Sequence, residues 1–180
     1  AGAEPVAVAA AVDATGKTTA IVVERGRSKL AILDLTKFTV SDEVPLGLLA
    51  KTASGPTAIA ILSNVALVLN SDTDNVSILD LNSKKVMGLV EVGRAPRGIG
   101  SDVVDGQLLA YITNQSDGTI SVINVVSAVN SVSAAQNSLR TLRLGADVRP
   151  QSILVLPAMP PMPPLPRVGV VTEPDSHETG

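Results

Sequence analysis

Few side chains in this sequence are of the types that carry out covalent or metal chemistry. His177 is the single histidine, and it sits between Asp175 and Glu178 close to the end of the chain. One imidazole with two flanking carboxylates lacks the further imidazole or thiolate ligands of a zinc or copper site. It also leaves no basis for a serine–histidine or cysteine–histidine pair, and cysteine is absent altogether. His177 therefore reads as part of a solvated terminus. Gly16-Lys17-Thr18 has the ending of a phosphate loop, but the earlier glycine of that motif would fall on Ala11, so a hairpin turn is the better reading. Asp72-Thr73-Asp74-Asn75 places oxygen ligands in alternation, as a calcium loop does, yet lacks that loop's glycine and distal glutamate; turn chemistry accounts for it. No catalytic residue, metal or cofactor is expected. The remaining candidates are four cations, Lys51, Arg94, Arg97 and Arg149, which fit contact with an anionic ligand or an acidic protein loop if the fold brings them together.

The elements that would position these cations are repeated. Three windows align without a gap: Val22 to Leu35, Val68 to Leu81 and Ile112 to Val125. Each reads as strand, polar turn, strand. In the second strand of each, Ile32, Ile78 and Val122 share one phase, with apolar residues on the other phase as well, which predicts strands covered on both faces. Each window is followed by a third element with a common ending, as Val44-Pro45-Leu46-Gly47, Val90-Glu91-Val92-Gly93 and Leu142-Arg143-Leu144-Gly145. A proline then opens a new apolar strand at Pro56, Pro96 and Pro150, as Pro5 does at the start, at spacings of 51, 40 and 54 residues. Proline suits the first residue of a strand, where its missing N–H need not join a ladder. Four-stranded blades of about 40 to 50 residues follow from these spacings. The four cations fall in or beside the connections between blades.

Ala110-Tyr111-Ile112-Thr113-Asn114, with Ser116-Asp117-Gly118-Thr119-Ile120-Ser121-Val122-Ile123-Asn124 after it, resembles the Tyr-Val-Thr-Asn repeat family of β-propellers. The second copy is similar through Val68-Leu69-Asn70 and Val76-Ser77-Ile78-Leu79-Asp80, and Val92-Gly93-Arg94-Ala95-Pro96-Arg97-Gly98-Ile99 matches the family's link between blades. The first copy departs, with Glu24 for the asparagine and Ala31 for the serine. The resemblance implies an all-β propeller of about three and a half four-stranded blades, an incomplete ring in one chain. Residues 1–156 form the blades, as 5–47, 56–93 and 96–145 with a fourth starting at 150. Residues 157–166, with six prolines in ten positions, form a polyproline spacer whose PxxP spacing also fits a groove ligand. Residues 167–180 have room for one strand and a polar tail.

Charge and composition narrow the function. A net charge of −3, with Phe38 and Tyr111 the only aromatics, supplies neither an electrostatic footprint nor stacking faces for nucleic acid. No run of apolar residues is long enough for a membrane span. The chain starts without methionine, which fits a mature secreted protein and a trimmed one equally. Three and a half blades cannot close a ring, since closed propellers have four to eight. Copies of the chain, another protein partner or further blades of a longer polypeptide are expected to complete it. The expected function is a non-enzymatic binding or scaffold module, periplasmic, secreted or at the cell surface, the location following from the resemblance. The alternatives are a lactonase-like or dehydrogenase-associated propeller and a lattice or filament subunit.

Overall fold

The computed structural model describes residues 2–12, 16–46, 54–62, 64–145, 147–156 and 168–171. Strands β1 (Pro5–Val12), β2 (Thr18–Glu24), β3 (Lys29–Asp34) and β4 (Thr39–Pro45) make a four-stranded antiparallel meander. A second meander follows as β5 (Pro56–Leu62), β6 (Val65–Asn70), β7 (Asn75–Asp80) and β8 (Lys85–Glu91). The third contains β9 (Pro96–Val104), β10 (Gln107–Asn114), β11 (Thr119–Asn124) and β12 (Arg140–Arg143). A final hairpin pairs β13 (Ser152–Val155) with β14 (Val168–Val171). The sheets fan out from their first strands, because β1 lies against β5, β5 against β9 and β9 against β13.

The sandwiching expected from the sequence is clearest in the second sheet. Val65, Leu67 and Leu69 of β6 pack towards the third sheet with Ile78, Ala110, Ile112 and Ile123. The intervening Ala66 and Val68 pack towards the first sheet with Ile21, Val23, Leu30 and Ile32. Strand periodicity thus feeds two separate cores from one strand, each fully buried Leu or Ile contributing about 1.5 to 3 kcal/mol. Ile32, Ile78 and Val122 are 5%, 0% and 9% exposed, in equivalent places. The first sheet differs. Val8 pairs across to Val22 and Ala31, on the side away from Ile21 and Ile32, and Val8, Val12 and Val40 are each more than half exposed.

Three strands begin at the prolines Pro5, Pro56 and Pro96, but the fourth does not begin at Pro150. Pro150 is buried and the ladder starts at Ser152. The reason is the closeness of the preceding backbone to β9: a Cβ on Gly98 would lie 2.8 Å from both Gln151 O and Ser152 Cα. Thr113 Oγ1 also reaches Gln151 O at 3.5 Å, so the chain there is pinned to the third sheet rather than paired with β14.

Two short helices join β11 to β12 where the other sheets have four-residue turns. α1 (Val125–Asn130) is capped by Asn124, whose Oδ1 accepts the Ser127 N–H at 3.0 Å. α2 (Val132–Ser138) is capped by Ser131, whose Oγ accepts the Ala134 N–H at 3.3 Å. Ala128 and Ala135 are buried in the core between the second and third sheets. Gln136 of α2 accepts the Glu91 N–H at 2.7 Å and donates to Glu91 O at 3.2 Å, covering the outer edge of β8 as a paired strand would. Among the described residues, no helix is long and apolar enough to cross a membrane.

Candidate functional site

One end of every complete sheet is built to the same plan. The residue that closes the turn between the second and third strands is left-handed: Ser28 (φ 50), Asp74 (φ 55) and Gly118 (φ 62). Its carbonyl accepts an N–H from the third element's common ending, Leu46 to Ser28, Val92 to Asp74 and Leu144 to Gly118, all at 3.0 Å. The turn is tied in the other direction to the segment that leads into the sheet. Arg25 N–H donates to Glu4 O, Ser71 to Gly55 O and Gln115 to Ala95 O. The residues before the three prolines, Glu4, Gly55 and Ala95, are left-handed as well. These bonds bring turn, exit and lead-in together, so side chains in the connections share one face with the turns.

Buried polar side chains lock the plan between neighbouring sheets. Asn70 Nδ2 donates to Asn75 Oδ1 and to Ser77 Oγ, both at 2.8 Å, and Ser77 Oγ donates to Leu46 O of the first sheet's exit at 3.4 Å. Asn114 Nδ2 donates to Thr119 Oγ1 at 3.0 Å and Ser121 Oγ at 2.9 Å, and Ser121 Oγ accepts the Gly93 N–H at 3.4 Å. A Cβ on Gly93 would lie 2.6 Å from Asn114 Cγ, so glycine is required at that exit. Glu24 and Ala31 occupy the corresponding places in the first sheet, and Glu24 Oε2 is buried with no hydrogen-bond partner.

The predicted cations divide on this face. Arg94 is held by Asp117: Nε lies 2.6 Å from Oδ1, and the Arg94 backbone N–H donates to Oδ2 at 2.7 Å. Those two bonds hold the Asp117 carboxyl below the usual carboxylate range, and the carboxylate pushes the Arg94 guanidinium up. Arg94 is 70% exposed, so solvent screens the pair, which orients the guanidinium more than it stabilises the fold. Arg97 donates from Nε to Gln115 Oε1 at 3.2 Å. Arg149 lines a cleft of about 230 Å³ with Gln115, Ser116 and Val148. Lys51 lies outside the described residues.

A larger cleft, about 580 Å³, shares Ser116 with the first and holds Arg94, Asp117, Thr119, Thr141 and Arg143. Sequence reasoning missed Arg143 and Asp117. The available signal was position, since Arg143 precedes the Leu-Gly ending where the second repeat has Glu91. Also missed was the pair of Arg25 with Asp72, at 2.7 Å, which ties the first sheet's turn to the second.

The other motifs have structural partners. Asp72 pairs with Arg25, Asp74 Oδ1 accepts the Ala95 N–H at 2.8 Å, and Asn75 is engaged by Asn70 and Thr73 O. That accounts for the alternating oxygens as turn chemistry. Lys17 Nζ lies 2.9 Å from Asp34 Oδ2, and Thr18 opens β2, as a hairpin requires. Among the described residues no three His, Cys, Asp or Glu side chains are grouped to hold a metal ion.

No protein-family model and no curated protein matches the chain. Among solved structures it is similar to hydrazine synthase of Kuenenia stuttgartiensis, with a TM-score of 0.64 and 21% identity, over 86% of this chain and 40% of that one. Virginiamycin B lyase from Staphylococcus aureus aligns with a TM-score of 0.63 and 13% identity, over 84% of this chain and 45% of that one. The chain is a run of β-propeller blades. It is also similar to the computationally designed Ika4 protein, with a TM-score of 0.61 and 12% identity over 87% of this chain and 82% of that one. The propeller blades span less than half the length of the hydrazine synthase and lyase chains. Three sheets are complete four-stranded blades, β1, β5, β9 and β13 are the innermost strands, and the ring is not closed.

Proposed function

We propose that these blades form a non-enzymatic binding or scaffold module, of the Tyr-Val-Thr-Asn repeat type, that works outside the cytoplasm within an oligomer or larger complex. The observation that carries this reading is the face of the first blade. Val8, Val12 and Val40 stand more than half exposed there, whereas Ile59 and Ile61 of β5 and Ala58 and Leu62 on its opposite side are packed into cores. Apolar sheet faces of this kind are normally covered. A second copy of the chain or a partner protein covers it, completing the ring. In this reading the blade-connection face, with Arg94, Arg97, Arg149 and Lys51, meets the ligand or partner.

The test is a charge on the uncovered face. Val8→Lys with Val40→Lys keeps every described hydrogen bond of the first blade and should reduce the native mass to that of a single chain, measured by light scattering after gel filtration. An unchanged mass would place the contact elsewhere. A second reading, an enzyme subunit, draws support from the names of the hydrazine synthase and the lyase. A stoichiometric metal or an absorbing cofactor in the purified protein would favour it.

A further inference from the structure

The outer edges of the three complete blades are treated differently. β4 ends at Pro45 and its pairing with β3 is broken by a bulge between Ile32 and Leu33. β8 has a bulge at the matching place, between Ile78 and Leu79, and its edge is covered by Gln136. Short strands, charge, bulges, proline and covering side chains are the usual devices against unwanted strand addition. β12 is four residues long and carries Arg140 and Arg143, but it has no bulge, proline or covering side chain. Its register with β11 runs unbroken from Thr119 opposite Arg143 to Val122 opposite Arg140, all four of its residues are exposed, and no strand lies on its outer side among the described residues.

The 580 Å³ cleft adjoins this strand, lined by Thr141 and Arg143 of β12 together with Arg94 and Asp117. Asp117 spends both carboxylate oxygens on Arg94, through Nε and the backbone N–H. The terminal N–H groups of Arg94 and the guanidinium of Arg143 make no hydrogen bond or ion pair among the described residues, although Arg143 lies close enough to Asp117 to help hold its carboxyl low. A fixed guanidinium presents a planar fork that matches a carboxylate. Ser116, Thr119 and Thr141 add hydroxyls, and no aromatic side chain lines the cleft. The two arginines of β12, Arg140 and Arg143, repel the same strand of another copy while attracting an acidic one.

We infer that the open edge of β12 and the adjoining cleft of Arg94 and Arg143 bind an extended acidic peptide segment of a partner protein by strand addition. The segment's backbone joins the β12 ladder, and its alternate carboxylates face Arg143 and Arg94. This deepens the reading of the chain as a binding module by naming the partner's chemistry. It is independent of ring closure, since a free peptide reports on it whatever the native mass proves to be.

The test is fluorescence anisotropy of the full chain with a labelled peptide of alternating Glu and Thr, alongside versions alternating Glu with Pro and Lys with Thr. The Glu–Thr peptide should bind saturably, and Arg143→Glu or Arg94→Ala should weaken it by about tenfold or more. The Glu–Pro peptide, which keeps the charge but has no N–H at alternate residues, should bind at least about tenfold more weakly. Lys37→Glu, exposed in the β3–β4 turn of the first blade, should leave affinity within about twofold. Circular dichroism melts confirm that these exposed substitutions leave the fold intact. Equal binding of the Glu–Pro peptide, equal loss with Lys37→Glu, tighter binding of the Lys–Thr peptide, or no saturable binding of the Glu–Thr peptide would each overturn the inference.

Discussion

Asn114 is fully buried and its Nδ2 serves two hydroxyls, Thr119 Oγ1 and Ser121 Oγ, the second of which receives the Gly93 N–H from the preceding blade. Asn114→Ala leaves those groups short of a donor inside the protein and should cost about 2 kcal/mol in denaturant melts. Asn114→Asp should cost more, because it places a carboxylate charge in a fully buried position. Asp34 makes a different prediction. Its carboxyl is held at about 2 by the hydrogen bond from Lys17 and then by the Thr36 and Lys37 N–H groups. The folded value lies below the unfolded one of about 3.9, so the contribution is complete above about pH 5 and is lost as the pH falls through 4 towards 2. Asp34→Asn should therefore lower the urea midpoint at pH 6 and shallow its fall between pH 4 and 2. An unchanged slope would mean that Asp34 is not held as described. The asparagine and serine positions were legible in the sequence as a repeated phase. Asp117 was not, because it reads as an ordinary turn residue until Arg94, 23 positions earlier, is folded back onto it.

Strand identity came through because period-2 alternation, proline and the Leu/Val-Gly ending all mark the same boundaries. Ile32, Ile78 and Val122 occupy matching buried places, and truncation of each to Ala should cost about 2 to 4 kcal/mol, with Val122 at the lower end. Costs near zero at all three would show that the strands present other faces to the core. α1 and α2 were not legible from the repeat, which shows only that the Leu-Gly ending comes later after the third window than after the other two. Their own signals are short: Asn124 and Ser131 as caps and the small buried Ala128 and Ala135. The shift of the fourth strand from Pro150 to Ser152 was hidden for another reason. It depends on how closely Gln151 and Ser152 approach Gly98, a contact between blades that no local pattern records.

At the scale of the molecule, two joints between blades share the asparagine–serine clasp, and the first blade has Glu24 and Ala31 in its place. A partner on that first face, as proposed, would be held differently from the blades that follow, mainly through the exposed Val8, Val12 and Val40. The apolar area argued for predicts an interface above about 1,000 Å² rather than a transient contact. Two arcs of three to four blades would close a ring within the four to eight that propellers use. Sedimentation velocity of the unmodified chain across the micromolar range is the most direct measurement. The account predicts a single stable species heavier than 18.4 kDa, as a multiple of the chain or with a partner bound, that does not dissociate on dilution. A compact monomer of 18.4 kDa with no partner would contradict it.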